Sequence, residues 1–527
     1  MQLTIGARYD LFGNEEKPPL NPNFVIRQGF SNRSTFDGRG VLQPRVGFNY
    51  EATDRLIIKG GVGIFAGGTP DVFLSNSFSN TGQLTNSVTI DRTATGCAIG
   101  NVAQSATFCS AALNNVPLTS IPGPVSNFIA TNTTSLQNAP VNAIDPDLKI
   151  ARQLRATLSV DYEADLGPLG DGWLFGANFL YGNVLQAYQW TDVRSVQIGT
   201  LPDGRPRYGN LPGTTGPNQD LLMTNSTRGR SYIAVARFAK DWDFGLGIEG
   251  SYTRSDVTDE NAITSTTAGS LYNNNVFNDP NRAAYGRSIY EIKDQWKLGV
   301  NFQREFFGDN ETRLSLFGEY RSGRPFSLTT FDTTGTSSRG VVFGVNGTGS
   351  RNLLYVPTVG DTRVSFDSAA NAAAFDKLVT NLGLEKFRGK ILPKNSQTSP
   401  DFFKVDLSIS QELPLFVGNA KLKLFADVEN VLNFIDSDWG ALRQVAFPYA
   451  ATVVNVQCLS AAVPTGTGVV AIGSTPTQNP GNLPAVLNAF NTQACAQYRY
   501  SNVVNPNVDL VSRQSLYGIR VGVKVSF

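Results

Sequence analysis

Four cysteines are the residues of this 527-residue chain that are most open to covalent chemistry. Cys97 and Cys109 lie in one long stretch between predicted strands, and Cys458 and Cys495 lie in another. Four cysteines allow three pairings, and two cysteines in each stretch favour the local pairing, Cys97 with Cys109 and Cys458 with Cys495. The alternative is four free thiols, which exposed loops seldom keep reduced outside the cytosol.

The chain contains no histidine, which disfavours most catalytic and metal-binding hypotheses. Hydrolases that use a serine or cysteine nucleophile ordinarily need a histidine as general base. A zinc site is disfavoured further by the lack of closely spaced cysteines, and haem capture through histidine ligands is disfavoured as well. Carboxylate pairs could perform acid–base chemistry, but no two stand at a diagnostic spacing. We therefore expect neither an enzyme nor a bound cofactor.

Charge balance and glycine usage address two further classes of ligand. The chain has 44 basic and 43 acidic side chains, whereas a nucleic-acid-binding protein needs a basic excess, so we expect no nucleic-acid partner. The segment GGVGIFAGG at residues 60–68 is rich in glycine like a phosphate-binding loop. Its apolar residues alternate, however, and we interpret it as part of a strand.

Apolar residues alternate with polar ones through much of the chain, at the period of a strand that separates two environments. Abundant Gly, Asn, Ser and Thr favour sheet and turns, and we expect almost no α-helix. In the final segment, YGIRVGVKVSF, every second residue is apolar. About twelve strands are predicted, within residues 3–11, 46–50, 56–64, 154–162, 173–181, 232–238, 242–252, 296–302, 314–320, 403–409, 422–428 and 517–527.

Charged residues occupy the positions between the apolar ones in these runs. Because a charge facing lipid at mid-depth costs roughly 2 to 4 kcal/mol, the charges are expected to face the lumen of a transmembrane β-barrel. Aromatic residues near strand ends, such as Trp173, Trp242 and Trp296, suit the interfacial girdles of such a barrel. The residues predicted to face the lumen are Arg8, Asp10, Arg45, Glu51, Arg55, Lys59, Arg313, Glu319, Arg321, Lys421, Lys423, Asp427, Glu429, Arg520 and Lys524.

The connections between predicted strands alternate between short and long. Transmembrane barrels have short periplasmic turns and long extracellular loops, whereas long structureless connections are rare in compact soluble domains. We therefore predict an all-β, antiparallel barrel in the bacterial outer membrane, in contact with its lipid. A soluble β-sandwich or a fibre would also alternate polar and apolar residues, but its connections would not alternate strictly between short and long along the chain. The long outer loops are predicted near residues 13–42, 67–149, 191–228, 254–294, 326–401 and 433–511.

The beginning of the sequence is already strand-like. No uninterrupted apolar stretch is long enough for a membrane-spanning helix, and Met1 is followed directly by QLTIGARYDLF rather than by a signal peptide. We expect residues 1–527 to form part of a barrel whose first segment lies elsewhere.

Several segments resemble the C-terminal barrel of TonB-dependent outer-membrane receptors, most closely the Oar-like subgroup. They are LTIGARYDLF, LQPRVGFNYEATDRLIIKGGVGIF, LFGEYRSGRPFSLT, NSQTSPDFFKVDLSISQELPL, KLKLFADVENVLNFIDSDWG and YGIRVGVKVSF. Together they cover nearly the whole chain in the family's order and spacing.

The resemblance implies a 22-stranded barrel whose lumen holds an N-terminal plug, with a segment before the plug that contacts the TonB–ExbB–ExbD complex. Neither the plug nor the TonB-contacting segment is recognised in this sequence, and only about twelve of the 22 strands are. The usual cargo of such receptors includes siderophores, saccharides and peptides, and the residues that bind it cannot be assigned from sequence. The resemblance also implies that the final strand is read by the outer-membrane assembly machinery, through Tyr517, Ile519, Val521, Val523, Val525 and Phe527.

Two alternatives remain open. The chain could form a passive twelve-stranded channel that needs no energised partner. It could also be a β-rich surface adhesin that acts only through its loops.

Overall fold

The largest sheet contains a path of twelve strands, each antiparallel to the one before it. The computed structural model describes the chain except for residues 68–70, 84–87, 100–101, 115, 117–118, 132–136, 217, 333–338, 348, 416–419, 464–485, 488–489 and 527. We number the twelve strands β1 (Gln2–Leu11), β2 (Gly40–Thr53), β3 (Leu56–Ala66), β4 (Arg152–Ala164), β5 (Trp173–Asp192), β6 (Gly229–Asp241), β7 (Leu246–Asp259), β8 (Asp294–Phe307), β9 (Asn310–Arg321), β10 (Phe402–Pro414), β11 (Lys421–Glu429) and β12 (Gly518–Ser526). The predicted antiparallel all-β class is confirmed.

The pairing register keeps apolar residues on one face of the sheet. Val300 lies opposite Ile248 on one side and Leu316 on the other, and the next residue, Asn301, lies opposite Ser315. Because successive side chains point to opposite faces, this register produces an apolar face and a polar face. The apolar side chains of β12 are between 43% and 74% exposed. An exposed apolar surface of this extent is typical of a membrane or protein contact.

Because the strands are antiparallel, the short connections lie at one end of the strands and the long connections lie at the other end. The short ones are residues 54–55, 165–172, 242–245, 308–309 and 415–420, and the long ones are 12–39, 67–151, 193–228, 260–293, 322–401 and 430–517. Predicted residues at three strand ends fall outside the strands. Residues 242–245, predicted as the start of one strand, form the short turn before β7. Arg55 lies in the two-residue turn between β2 and β3, and Tyr517 precedes β12 and packs edge-on against Phe434, with 5.1 Å between ring centroids.

In the residues that the structure describes, the long connections are folded, and we call them together the loop domain. The expectation of almost no helix is wrong here, because short helices occupy several connections. They are Pro22–Gln28, Asp71–Ser79, Ala106–Leu113, Gly123–Thr131, Ala268–Asn273, Ala369–Asn381, Val431–Ile435 and Ser512–Ser515, with 3-10 turns at Gly167–Leu169 and Glu385–Phe387. Within the described ranges, no helix is long and apolar enough to cross a membrane.

Short strands complete the loop domain. Three of them extend the main sheet at the strand ends that carry the long connections: Val141–Ile144, Asp220–Ser226 and Gly286–Arg287. The others are Asp91–Thr93, Gly96–Ile99, Val102–Ala103, Ser195–Thr200, Pro206–Asn210, Pro325–Asp332, Asn352–Leu353, Tyr355–Val356, Val364–Phe366, Lys390–Ile391, Gln397–Thr398, Arg443–Gln444, Ala450–Leu459, Gln497–Ser501 and Asp509–Leu510.

The loop domain has a hydrophobic core of its own. Pro325–Asp332 pairs in parallel with Ala450–Leu459, which pairs antiparallel with Gln497–Ser501. Leu328, Val454 and Tyr500 from these three strands are fully buried in one cluster. Burial of a large apolar side chain contributes about 1.5 to 3 kcal/mol, so this cluster can hold the connections in one arrangement.

The two outer edges of the twelve-stranded path are open. Among the residues that the structure describes, β1 pairs only with β2, and β12 pairs only with β11. Both strands therefore present backbone N–H and C=O groups that could pair with further strands.

Candidate functional site

Three ion pairs organise charges on the polar face. Arg8 and Asp10 lie 2.6 Å apart on β1. Arg520 of β12 contacts Asp427 of β11 at the same distance, across the register. Lys421 lies 3.0 Å from Glu412 of β10. Most of these side chains are partly exposed, so each pair contributes at most about 1 kcal/mol in water.

Strands β2 and β3 place three further predicted residues on the polar face. The Arg45 guanidinium donates to Gln43 at 3.2 Å and lies 4.5 Å from the centre of the Phe65 ring. Lys59 lies opposite Asn49, and Glu51 lies opposite Ile57. Arg55 instead joins two neighbouring short turns, because it contacts Asp165 at 2.5 Å.

The remaining predicted residues lie on β9, β11 and β12. Arg313 is 3.2 Å from Glu311, Glu319 accepts a hydrogen bond from Gln295 at 2.8 Å, and Arg321 lies 5.0 Å from the centre of the Phe402 ring. Lys423 and Lys524 lie opposite each other, and Glu429 lies opposite Gly518. The predicted charges are therefore spread over the polar face and do not converge on one point.

A groove of about 490 Å³ lies on the polar face near the short turns. Its lining contains Asp161, Arg237, Glu249 and Lys297, none of which was among the predicted residues. Arg237 forms an ion pair with Asp161 across β5. Since these residues occupy the polar positions of the same alternating runs, the alternation itself could have identified them.

Both predicted cysteine pairs lie in the loop domain as disulfides. Cys97 and Cys109 have Cα atoms 5.5 Å apart and join Gly96–Ile99 to the helix Ala106–Leu113. Cys458 and Cys495 have Cα atoms 5.1 Å apart and link Ala450–Leu459 to the segment before Gln497–Ser501. Each bridge closes one long connection on itself. Within the described residues, no three His, Cys, Asp or Glu side chains form a group that could hold a metal ion.

The final strand carries four of the six residues predicted to form the assembly signal. Ile519, Val521, Val523 and Val525 lie on the apolar face of β12, with Tyr517 just before the strand. Phe527 lies outside the described residues.

Buried ion pairs connect separate parts of the loop domain. The Asp220 carboxylate is fully buried, 2.8 Å from Arg194 and 3.1 Å from Arg27, whose side chains are 1% and 8% exposed. Nearby, Asp192 accepts hydrogen bonds from the Ser195 hydroxyl and from the backbone N–H groups of Arg194 and Asp220. Burial raises the pKa of Asp192 above its ordinary value. Sequence reasoning missed these residues, because their partners are distant along the chain.

Asp361 forms a second polar centre in the loop domain. It accepts hydrogen bonds from the Tyr355 hydroxyl at 2.6 Å and from the Arg363 side chain at 2.8 and 3.0 Å. Burial by itself would raise the pKa of this carboxyl group, but the hydrogen bonds from Arg363 and Tyr355 favour the ionised form and bring the pKa to about 2.

The low pKa of Asp361 predicts a defined pH dependence. An ionised Asp361 stabilises the fold fully above the ordinary pKa of about 3.9, and this contribution is lost as the pH falls toward 2. We expect Asp361→Asn to increase hydrogen exchange around residues 355–363 at pH 6. The difference from the wild type should shrink between pH 4 and pH 2. A difference that stays constant over this range would contradict the assignment.

An outer cleft of about 420 Å³ opens between parts of the loop domain. The Arg228 guanidinium lies 4.7 Å from the centre of the Tyr285 ring and 3.6 Å from Glu260. Arg228 and Arg282 both line the cleft and are exposed to solvent. Guanidinium groups and an aromatic ring together can bind an oxygen-rich or anionic ligand.

One comparison with known proteins gives a match. The sequence profile described as an outer membrane beta barrel domain matches residues 2–436, a range that contains β1 to β11. Among curated proteins, none matches the chain. The match accounts for the exposed apolar face and for the separation of short and long connections, because barrels of this kind span a lipid bilayer. The chain therefore belongs to the outer membrane beta barrel domain family and is located in the bacterial outer membrane.

Proposed function

We propose that this chain forms the barrel wall and the outer surface of a TonB-dependent receptor of the Oar-like type. The receptor takes up a scarce nutrient of the siderophore, saccharide or peptide class by energised transport, and it catalyses no reaction. The observation that carries the proposal is the folded loop domain above the sheet. Its packed core and disulfides make a rigid surface, and its outer cleft carries exposed arginine side chains suited to recognition.

The proposed path begins at the loop domain and ends at the short turns. Cargo binds among the long connections, where exposed groups such as Arg228 and Arg282 are available. It then passes along the polar face of the sheet. As the family resemblance implies, a plug segment blocks this path until the TonB–ExbB–ExbD complex displaces it.

The open edges of the sheet support a barrel with more than these twelve strands. In lipid, an unpaired backbone N–H or C=O group costs several kcal/mol, so edge strands do not persist there. Among the described residues, β1 and β12 each have one unpaired edge. Further strands that pair with both edges would close the barrel, and this favours a large receptor over a passive channel of twelve strands.

The proposal can be tested on the full-length gene product that contains this chain. We expect it to be retained on an immobilised TonB periplasmic domain and to give no steady KCl conductance in a planar bilayer. A passive channel would show the reverse, with ohmic conductance and no retention. Absence of both would indicate an adhesin and would likewise overturn the proposal.

A further inference from the structure

The apolar face of the sheet contains a groove of about 660 Å³. The groove is lined almost entirely by apolar atoms, and its volume lies within the roughly 300 to 1,000 Å³ that is usual for small-molecule pockets. It extends from Phe175 of β5 across β6 to β10 on the face that meets lipid, and four of these strands, β7 to β10, form most of it. The surrounding medium therefore supplies its occupant, and that medium is hydrocarbon.

The register explains why a groove exists at this place. The aromatic row contains Tyr252, Trp296, Tyr320 and Phe403, which lie side by side on the four strands. One pleat nearer the short turns, the glycine row contains Gly250, Leu298, Gly318 and Val405. Because two of its four residues are glycines without a side chain, the second row rises less above the sheet than the rings of the first, and the aromatic row forms one wall.

The two glycines of this row differ in their surroundings. A Cβ atom added to Gly250 would lie 2.5 Å from the Phe238 ring, which already covers that position. A Cβ atom added to Gly318 would meet nothing closer than 4.0 Å. The floor of the groove is therefore open at Gly318.

The edge of the groove nearest the long connections is polar. Arg254 lies two residues beyond Tyr252 on the same face of β7, and its side chain is 50% exposed. Asp294 accepts hydrogen bonds from the Tyr252 hydroxyl and from Arg254, both at 2.7 Å. The Tyr320 hydroxyl donates to Asp401 at 2.5 Å. An oriented, half-exposed guanidinium group beside an apolar groove matches a lipid with a phosphate headgroup.

We propose that the groove binds one phosphorylated glycolipid of the outer leaflet. One of its acyl chains lies over Gly318 beside the aromatic row, and a phosphate group contacts Arg254. The glycolipid is favoured over a phospholipid because the polar edge faces the long connections, on the outer side of the membrane. This site rests on the membrane-facing sheet and not on the identity of any cargo.

The test uses the full-length protein, delipidated in detergent and mixed with purified lipid A or with phosphatidylglycerol, and native mass spectrometry counts the bound lipid. Gly318→Phe fills the open floor, and we expect it to lower lipid A binding about tenfold, the factor that corresponds to roughly two lost methylene contacts. Arg254→Gln should reduce the preference for lipid A over its dephosphorylated form. Val62→Phe, on the apolar face of β3, is the matched control and should bind like the wild type.

Heat-modifiable migration identifies the assembled fraction of each variant, and only that fraction is compared. Equal lipid A binding by Gly318→Phe and Val62→Phe would overturn the site. Tighter binding of phosphatidylglycerol than of lipid A would overturn the choice of lipid. If Gly318→Phe does not assemble, the Arg254→Gln comparison decides, and an unchanged preference rejects the proposal.

Discussion

Val300→Arg is expected to block assembly of the barrel, whereas Asn301→Arg is expected to be tolerated. The two residues are adjacent near the middle of β8, but Val300 lies on the apolar face between Ile248 and Leu316, and Asn301 lies on the polar face opposite Ser315. An arginine that faces lipid at mid-depth costs about 2 to 4 kcal/mol, and one on the polar face remains solvated.

The measurement is the heat-modifiable fraction of each full-length variant in isolated outer membranes. We expect little folded protein for Val300→Arg and a fraction near that of the wild type for Asn301→Arg. The paired design controls for position, depth and the size of the new side chain. Equal loss in both variants would contradict the assignment of the two faces.

Asp220→Leu is expected to destabilise the loop domain by about 3 to 5 kcal/mol, the usual effect of breaking a buried ion pair. Asp220 is the shared partner of Arg194 and Arg27, and the change would leave two buried guanidinium groups without their anion. Their desolvation would no longer be offset, and their mutual repulsion would add to the loss.

Limited proteolysis of the long connections reports this loss, because cleavage follows local opening. The control is Asp165→Leu, which removes the partner of Arg55 in a pair whose side chains are 35% and 54% exposed. We expect that variant to lower the free energy of unfolding by only about 0 to 1 kcal/mol. Similar cleavage rates in the two variants would show that the buried network does not hold the loop domain together.

The twelve strands could be predicted from sequence because each one separates two media. A strand between lipid and a polar interior must alternate strictly, so the signal extends over its whole length. Strand boundaries are predicted less precisely, since alternation fades or continues without regard to pairing. After residue 181 the apolar positions change from odd to even, as at Tyr188 and Trp190, and there β5 leaves the main path and pairs with Asp220–Ser226. At Arg55 the alternation extends into a turn.

The loop domain could not be predicted in the same way, for a physical reason. Its strands are short, and their partners are distant. Ser327 pairs with Ala450, and Val364 pairs with Tyr498. Strands buried on both faces do not alternate, so no periodic signal marks them. Buried arginines such as Arg194 are also indistinguishable in sequence from exposed ones.

For the site residues, too, one property could be predicted from sequence and another could not. Predicted charges such as Asp427 and Arg520 lie on the polar face, because alternation determines the face of a strand residue. Which charges meet depends on the register between neighbouring strands, which the sequence alone does not specify. The lipid groove is a consequence of register too, since it requires Gly250 and Gly318 to lie in one row across three strands.

The central claim is that the strands cross the outer membrane with the long connections outside the cell. Single cysteines test it directly, because all four native cysteines are in disulfides. Val359→Cys lies in a long connection and Phe244→Cys in a short turn, at sites that are 87% and 53% exposed. With a membrane-impermeant maleimide on intact cells, we predict labelling of Val359→Cys alone, and labelling of Phe244→Cys only after the outer membrane is permeabilised. Labelling of Phe244→Cys on intact cells would contradict this account.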